Sequence, residues 1–273
     1  MNVHTYAFKI LNADTLEGKL LNSNVITDYK NDNKVKSVNF IKPNRPQGME
    51  FSDIQINFPK KGKLKTNEGK AIALHFFANH ELLAIEMMAQ ALIAFPDISI
   101  KNKKTLVATI QDEQKHFSLY CSRLSEFGVK FGDYPLNSFF WSQMNKIETF
   151  EQFYSLVAIT FEQANLDFAK YYGDLFRSMG DIKTADIMNT VYEDEIIHVS
   201  RGRKYLEDFL IKDQSFWEYY NLILPQNITA SRAKGMIFDR DARKRAGFNV
   251  SDIDALESFT GSFEITKRRQ WKN

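Results

Sequence analysis

Asp112-Glu113-Gln114-Lys115-His116 and Asp194-Glu195-Ile196-Ile197-His198 are one five-residue pattern, D-E-x-x-H, written twice at an offset of 82 residues. In a helix the glutamate and histidine of such a stretch lie one turn apart on the same face. Those faces are otherwise apolar. Glu113 shares its stripe with Leu106, Ile110, Phe117 and Leu124, and Glu195 shares its stripe with Met188, Val191, Val199 and Leu206. Two charged residues therefore point with each stripe toward a core.

Two further glutamates follow the same logic. Glu81 has Leu74, Phe77, Ala78, Ile85, Met88 and Leu92 at helical spacing, and Glu162 has Ala158, Ile159, Leu166 and Ala169. Glu81 and Glu162 are related by an offset of 81, as are Glu86 and Asp167. The chain is thus an internal repeat of two helix pairs. Each pair carries one lone glutamate and, 32 or 33 residues later, one Glu-x-x-His.

An ionised carboxylate buried without a partner costs several kcal/mol, so four converging on one core require a cation. Glutamates from two helices and Glu-x-x-His from two others are the ligand set of di-iron and di-manganese carboxylate bundles. Four carboxylates also balance two divalent ions. The reading is a ferritin-like four-helix bundle of an all-α protein. Glu81 and Glu162 would be terminal ligands, Glu113 and Glu195 bridges, and His116 and His198 one cap for each metal. The first-helix position stays open between Glu81 and Glu86, whose face carries Asn79, Leu82, Leu83 and Gln90. Glu86, Asp167 and His80 are candidates to hold ligand side chains by hydrogen bonds, or, for the two carboxylates, to form salt bridges. His75 reads as a packing or cavity histidine, Tyr120 and Tyr192 as core or redox-active tyrosines, Asp112 and Asp194 as surface residues, and Cys121 as a small hydrophobe.

Punctuation supports helices at about 67–95, 102–127, 148–178 and 182–211. Phe95-Pro96-Asp97, Glu126-Phe127-Gly128 and Ser178-Met179-Gly180-Asp181 supply the breaks. Residues 1–66 read as an irregular arm with one short helix near Thr15–Leu21. Residues 213–273 read as a helical extension opened by FWEYYNLIL.

The 273 residues carry 36 Lys and Arg against 34 Asp and Glu, a net charge of +2. That balance excludes a polycationic nucleic-acid packer. The excess is local, because residues 229–273 hold ten basic and six acidic residues. No apolar run approaches the length of a membrane span. One cysteine and an N-terminus without signal-peptide features point to a cytoplasmic protein.

The segments HFFANHELLAIEMMAQALIAFPD, QDEQKHFSLYCSRLSEFG, TFEQANLDFAKYYGDLFRSMGD and EDEIIHVSRG resemble an uncharacterised ferritin-like family. That family is distantly similar to the di-iron tRNA hydroxylase of 2-methylthio-isopentenyladenosine. The resemblance covers roughly residues 40–250, including KGMIFDRDARKRAGF after the bundle. It implies a di-metal centre but no particular reaction. The expectation is therefore an O2-dependent oxidase or monooxygenase holding two Fe ions, or Mn or a mixed pair, with an electron donor and an unidentified small substrate. The alternatives are a tRNA-modifying hydroxylase using the basic tail, and a ferroxidase in an oligomer.

Overall fold

The computed structural model describes residues 1–30, 40–54, 56–226 and 228–261. Among the described residues the protein is all-helical, with isolated bridges pairing Asn2 with Asp28 and Phe51 with Leu136 but no strand. No helix among them is long and apolar enough to cross a membrane. The chain divides into two compact units: Met1–Asn145 with Phe176–Ile187, and Lys146–Leu175 with Met188–Asn273. These cut across the expected arm, bundle and extension, because each unit joins a terminal segment to ligand-bearing helices.

In the first unit, α1 (Val3–Asn12) corrects the expectation of an irregular arm. Val3, Tyr6, Ala7, Ile10 and Leu11 recur at helical spacing and are buried, and the Asn2 side chain accepts a hydrogen bond from the His4 amide. α2 (Leu16–Lys19) is a single turn capped by Thr15. The long helices α3 (Asn67–Ala94) and α4 (Ile100–Ser125) pack along each other, and α1 packs on α3. α3 is buried on nearly every side, which explains why its sequence is apolar well beyond one stripe. The short α5 (Phe139–Gln143) also lies on α3.

In the second unit, the expected helix 148–178 is interrupted. α6 (Phe150–Leu156) passes into a π turn, Val157–Glu162, before α7 (Gln163–Ser178) resumes α geometry. The Thr160 hydroxyl donates to the Ser155 carbonyl five residues back at 2.7 Å and lies 2.7 Å from the Tyr220 hydroxyl. This side chain meets a carbonyl at the wider π spacing. α8 (Ile182–Glu207) follows, then α9 (Phe216–Ile223), α10 (Arg240–Arg245) and α11 (Val250–Ser258). α9 opens with a reciprocal Ser215–Glu218 capping box. Glu113 and Glu195 each stand thirteen residues past the first residue of their helix, Ile100 and Ile182, so the repeat offset of 82 is a structural register.

The α7–α8 turn, within the first unit, closes as a Schellman motif. Gly180 adopts φ 77°, the Asp181 amide donates to the Phe176 carbonyl at 2.9 Å, and the Gly180 amide donates to the Arg177 carbonyl at 3.0 Å. Asp181 then caps α8 through Thr184 and binds Arg123 and Lys70, each at 2.9 Å. Burial works to raise the Asp181 pKa, but Lys70, Thr184 and Arg123 outweigh it and hold the carboxyl below its ordinary value. Gly180→Ala puts a Cβ into the left-handed region and is expected to lower stability by about 1 kcal/mol, read from the urea midpoint. An unchanged midpoint would show that this turn is not under that constraint.

Candidate metal sites

In the first unit α3 presents Glu81, and α4 presents Glu113 and His116. Their exposures are 5%, 1% and 0%. One ligand atom from each lies within 4.8 Å of the others, and His116 Nδ1 is 3.1 Å from Glu113 Oε2. The structure thus brings Glu81, not Glu86, to the Glu-x-x-His pair.

In the second unit Glu162 closes the π turn, and α8 presents Glu195 and His198. Exposures are 7%, 2% and 2%. Their ligand atoms also lie within 4.8 Å of one another, and His198 Nδ1 is 3.4 Å from Glu195 Oε2. Asn165 donates a hydrogen bond to Glu195 Oε1 at 2.7 Å, fixing that carboxylate. Asn165 is legible in retrospect as the polar residue one turn past Glu162 on an inward stripe. Gly202, one turn past His198, lets α8 approach the π turn closely: a Cβ there would stand 2.4 Å from the Ala158 Cβ.

Each triad fits a divalent transition ion. Carboxylate oxygens and imidazole nitrogens bind such ions at about 2.0–2.2 Å, so donors sharing one ion lie about 3–4.4 Å apart. Two carboxylates also match the charge of one divalent ion.

Glu86 and Asp167 serve differently from the ligand-holding role allowed for them, because buried cations from the terminal segments occupy both. Lys19 approaches Glu86 at 2.9 Å, and Arg45 approaches it at 2.7 Å, all three groups being essentially inaccessible. Burial lowers the Lys19 pKa, Glu86 pushes it back up, and Arg45 lowers it. Arg45 also donates to Asn79 and lies 4.1 Å over the Phe51 ring. In the second unit Arg243 grips Asp167 bidentately at 2.7 and 3.0 Å. The Gly235 and Asp239 amides donate to the same carboxylate at 2.8 and 2.7 Å. The sequence reading missed Lys19, Arg45 and Arg243. The only signal was their place in the segments flanking the repeat.

The remaining candidates are placed as follows. His75 accepts a hydrogen bond from the Gly132 amide at 3.1 Å and stacks on Phe131, so it packs a loop. Burial lowers its pKa to about 4. His80 lies 4.7 Å from the Phe140 ring and is likewise pushed down to about 4 by burial, which keeps it neutral. Tyr120 is buried against Phe77, whereas Tyr192 donates to Asp239 at 2.9 Å. Burial drives the Cys121 thiol up to about 12, leaving it unreactive. Asp112 and Asp194 are half-buried.

The basic run of α10 is spent inside the protein. Arg240 pairs with Asp254 and Glu257, Arg245 with Glu193, and Arg243 with Asp167. The basic residues of 264–273 lie outside the described residues.

An all-helical chain with two buried carboxylate–histidine triads is the class that fold and site define. The chain belongs to the family described as Protein of unknown function (DUF455), which matches residues 5–254. Comparison with curated proteins and with solved structures finds no match.

Burial decides how much these ion pairs matter. Arg243→Met strands the fully buried Asp167 and is expected to cost about 3–5 kcal/mol in denaturant unfolding. Arg240→Met removes pairs whose members are 34–58% exposed and is expected to cost less than about 1 kcal/mol. Equal costs would refute the ranking.

Proposed function

We propose that this protein is a ferritin-like di-metal carboxylate oxidoreductase of the cytoplasm, an O2-dependent oxidase or monooxygenase. One observation carries the reading: each half of an internal repeat buries two glutamates and one histidine with ligand atoms within 4.8 Å of one another. Glu81, Glu113 and His116 hold one ion, and Glu162, Glu195 and His198 hold the other. Iron is the leading candidate, with manganese or a mixed pair also matching the donor set. When bound, the ions supply O2 binding and the electrons for its reduction, which an external donor then restores. The chain's own residues do the rest. Apolar stripes around each glutamate keep bulk water out, Asn165 orients Glu195, and Gly202 lets α8 carry its ligands close to the π turn.

The charge pattern that motivated nucleic-acid binding gives that reading less support, since three arginines of α10 already face carboxylates. Its remaining basis is Lys267, Arg268, Arg269 and Lys272. If the tail did bind tRNA, affinity would fall steeply with salt, and removing residues 264–273 would flatten that dependence. Binding is expected to be absent or unaffected by the truncation.

Anaerobic Fe(II) loading followed by desalting and metal analysis tests the main reading. About two irons per chain are expected in the wild type, with at least one lost in Glu195→Ala, and the loaded protein is expected to consume O2 on mixing. No iron uptake, or the same uptake in the variant, would overturn the reading.

A further inference from the structure

The repeat is symmetric in its ligands but not in the charges beside them. Glu81 and Glu162 each have a buried carboxylate five residues on, Glu86 and Asp167, about 7.5 Å further along the helix axis at ordinary helical rise. Beside Glu86 stand two cations, Lys19 and Arg45, so that inaccessible cluster sums to +1. Beside Asp167 stands one, Arg243, and the cluster is neutral. Asp239, 9% exposed, adds a negative charge near it through its amide contact to Asp167. The ion pairs anchoring the two terminal segments therefore place opposite excesses of charge near the two triads.

We infer that the two metal sites have unequal affinity, with the Glu162–Glu195–His198 triad filling before the Glu81–Glu113–His116 triad, and that Arg45 sets the difference. The inference rests on the proposal that both triads bind metal. A unit charge within about 10 Å of a divalent ion is weakly screened in the interior, where the effective dielectric is near 20 rather than 80. Three carboxylates and two cations surround the first ion, against four carboxylates and one cation around the second. A separation of at least about tenfold in affinity follows. Arg45 acts as a positioning residue for charge and touches no ion. Its removal leaves Glu86 paired with Lys19 and brings the first cluster to neutrality.

The test is a titration of the metal-free full-length protein with Co(II), followed by visible absorbance and calorimetry. Wild type is expected to bind in two phases separated at least tenfold. His198→Ala should remove the tighter phase, and His116→Ala the weaker. Arg45→Gln should tighten the weaker phase about tenfold, and Arg45→Lys should leave it in place. Two equal phases, the reverse assignment of the histidines, or an unchanged weaker phase in folded Arg45→Gln would overturn the inference while leaving metal binding intact. No Co(II) uptake by wild type would instead remove the metal reading, and this inference with it. If Arg45→Gln fails to fold by circular dichroism, the two histidine variants still decide the order of filling.

Discussion

The burial of carboxylates is the constraint on which the rest of this structure depends. Glu81, Glu86, Glu113, Glu162, Asp167 and Glu195 are all less than 10% exposed, and each would cost several kcal/mol if ionised without compensation. The chain compensates them in two ways. Glu86 and Asp167 receive buried cations from outside the helices that carry them. The other four are gathered with histidines into triads whose geometry suits a divalent ion.

That division gives the terminal segments a role beyond covering a core. Lys19 and Arg45 bring the N-terminal segment to α3, and Arg243 brings the C-terminal segment to α7, each within its own unit. Neither contact is a surface ion pair of marginal value. Removing one partner of a buried pair strands the other, so these contacts specify where the segments lie as well as contributing stability. The asymmetry of two cations on one carboxylate and one on the other then bears on the proposed metal chemistry.

Much of this was legible in the sequence, and what was not has identifiable causes. Glutamates on apolar stripes, repeated at a fixed offset, mark the residues that the structure gathers, because helical periodicity is local. Glu81 was separable from Glu86 only in three dimensions, since the partners of Glu86 lie 41 residues or more away in sequence. The π turn needed the Tyr220 hydroxyl opposite Thr160, a contact spanning 60 residues. α1 is a different kind of miss. Its stripe of Val3, Tyr6, Ala7, Ile10 and Leu11 was visible, and reading the N-terminal 66 residues as one arm obscured it. The basic tail misled through composition, which counts Arg240, Arg243 and Arg245 but does not show the carboxylates they meet.

The central claim is that the four ligand glutamates are compensated by metal. A crystal of the protein grown with Mn(II), with anomalous difference maps at a wavelength sensitive to that metal, addresses it most directly. The account predicts two peaks per chain, one about 2.0–2.3 Å from atoms of Glu81, Glu113 and His116 and one at the same distance from Glu162, Glu195 and His198. Empty triads at saturating Mn(II), or peaks only on surface carboxylates, would contradict it.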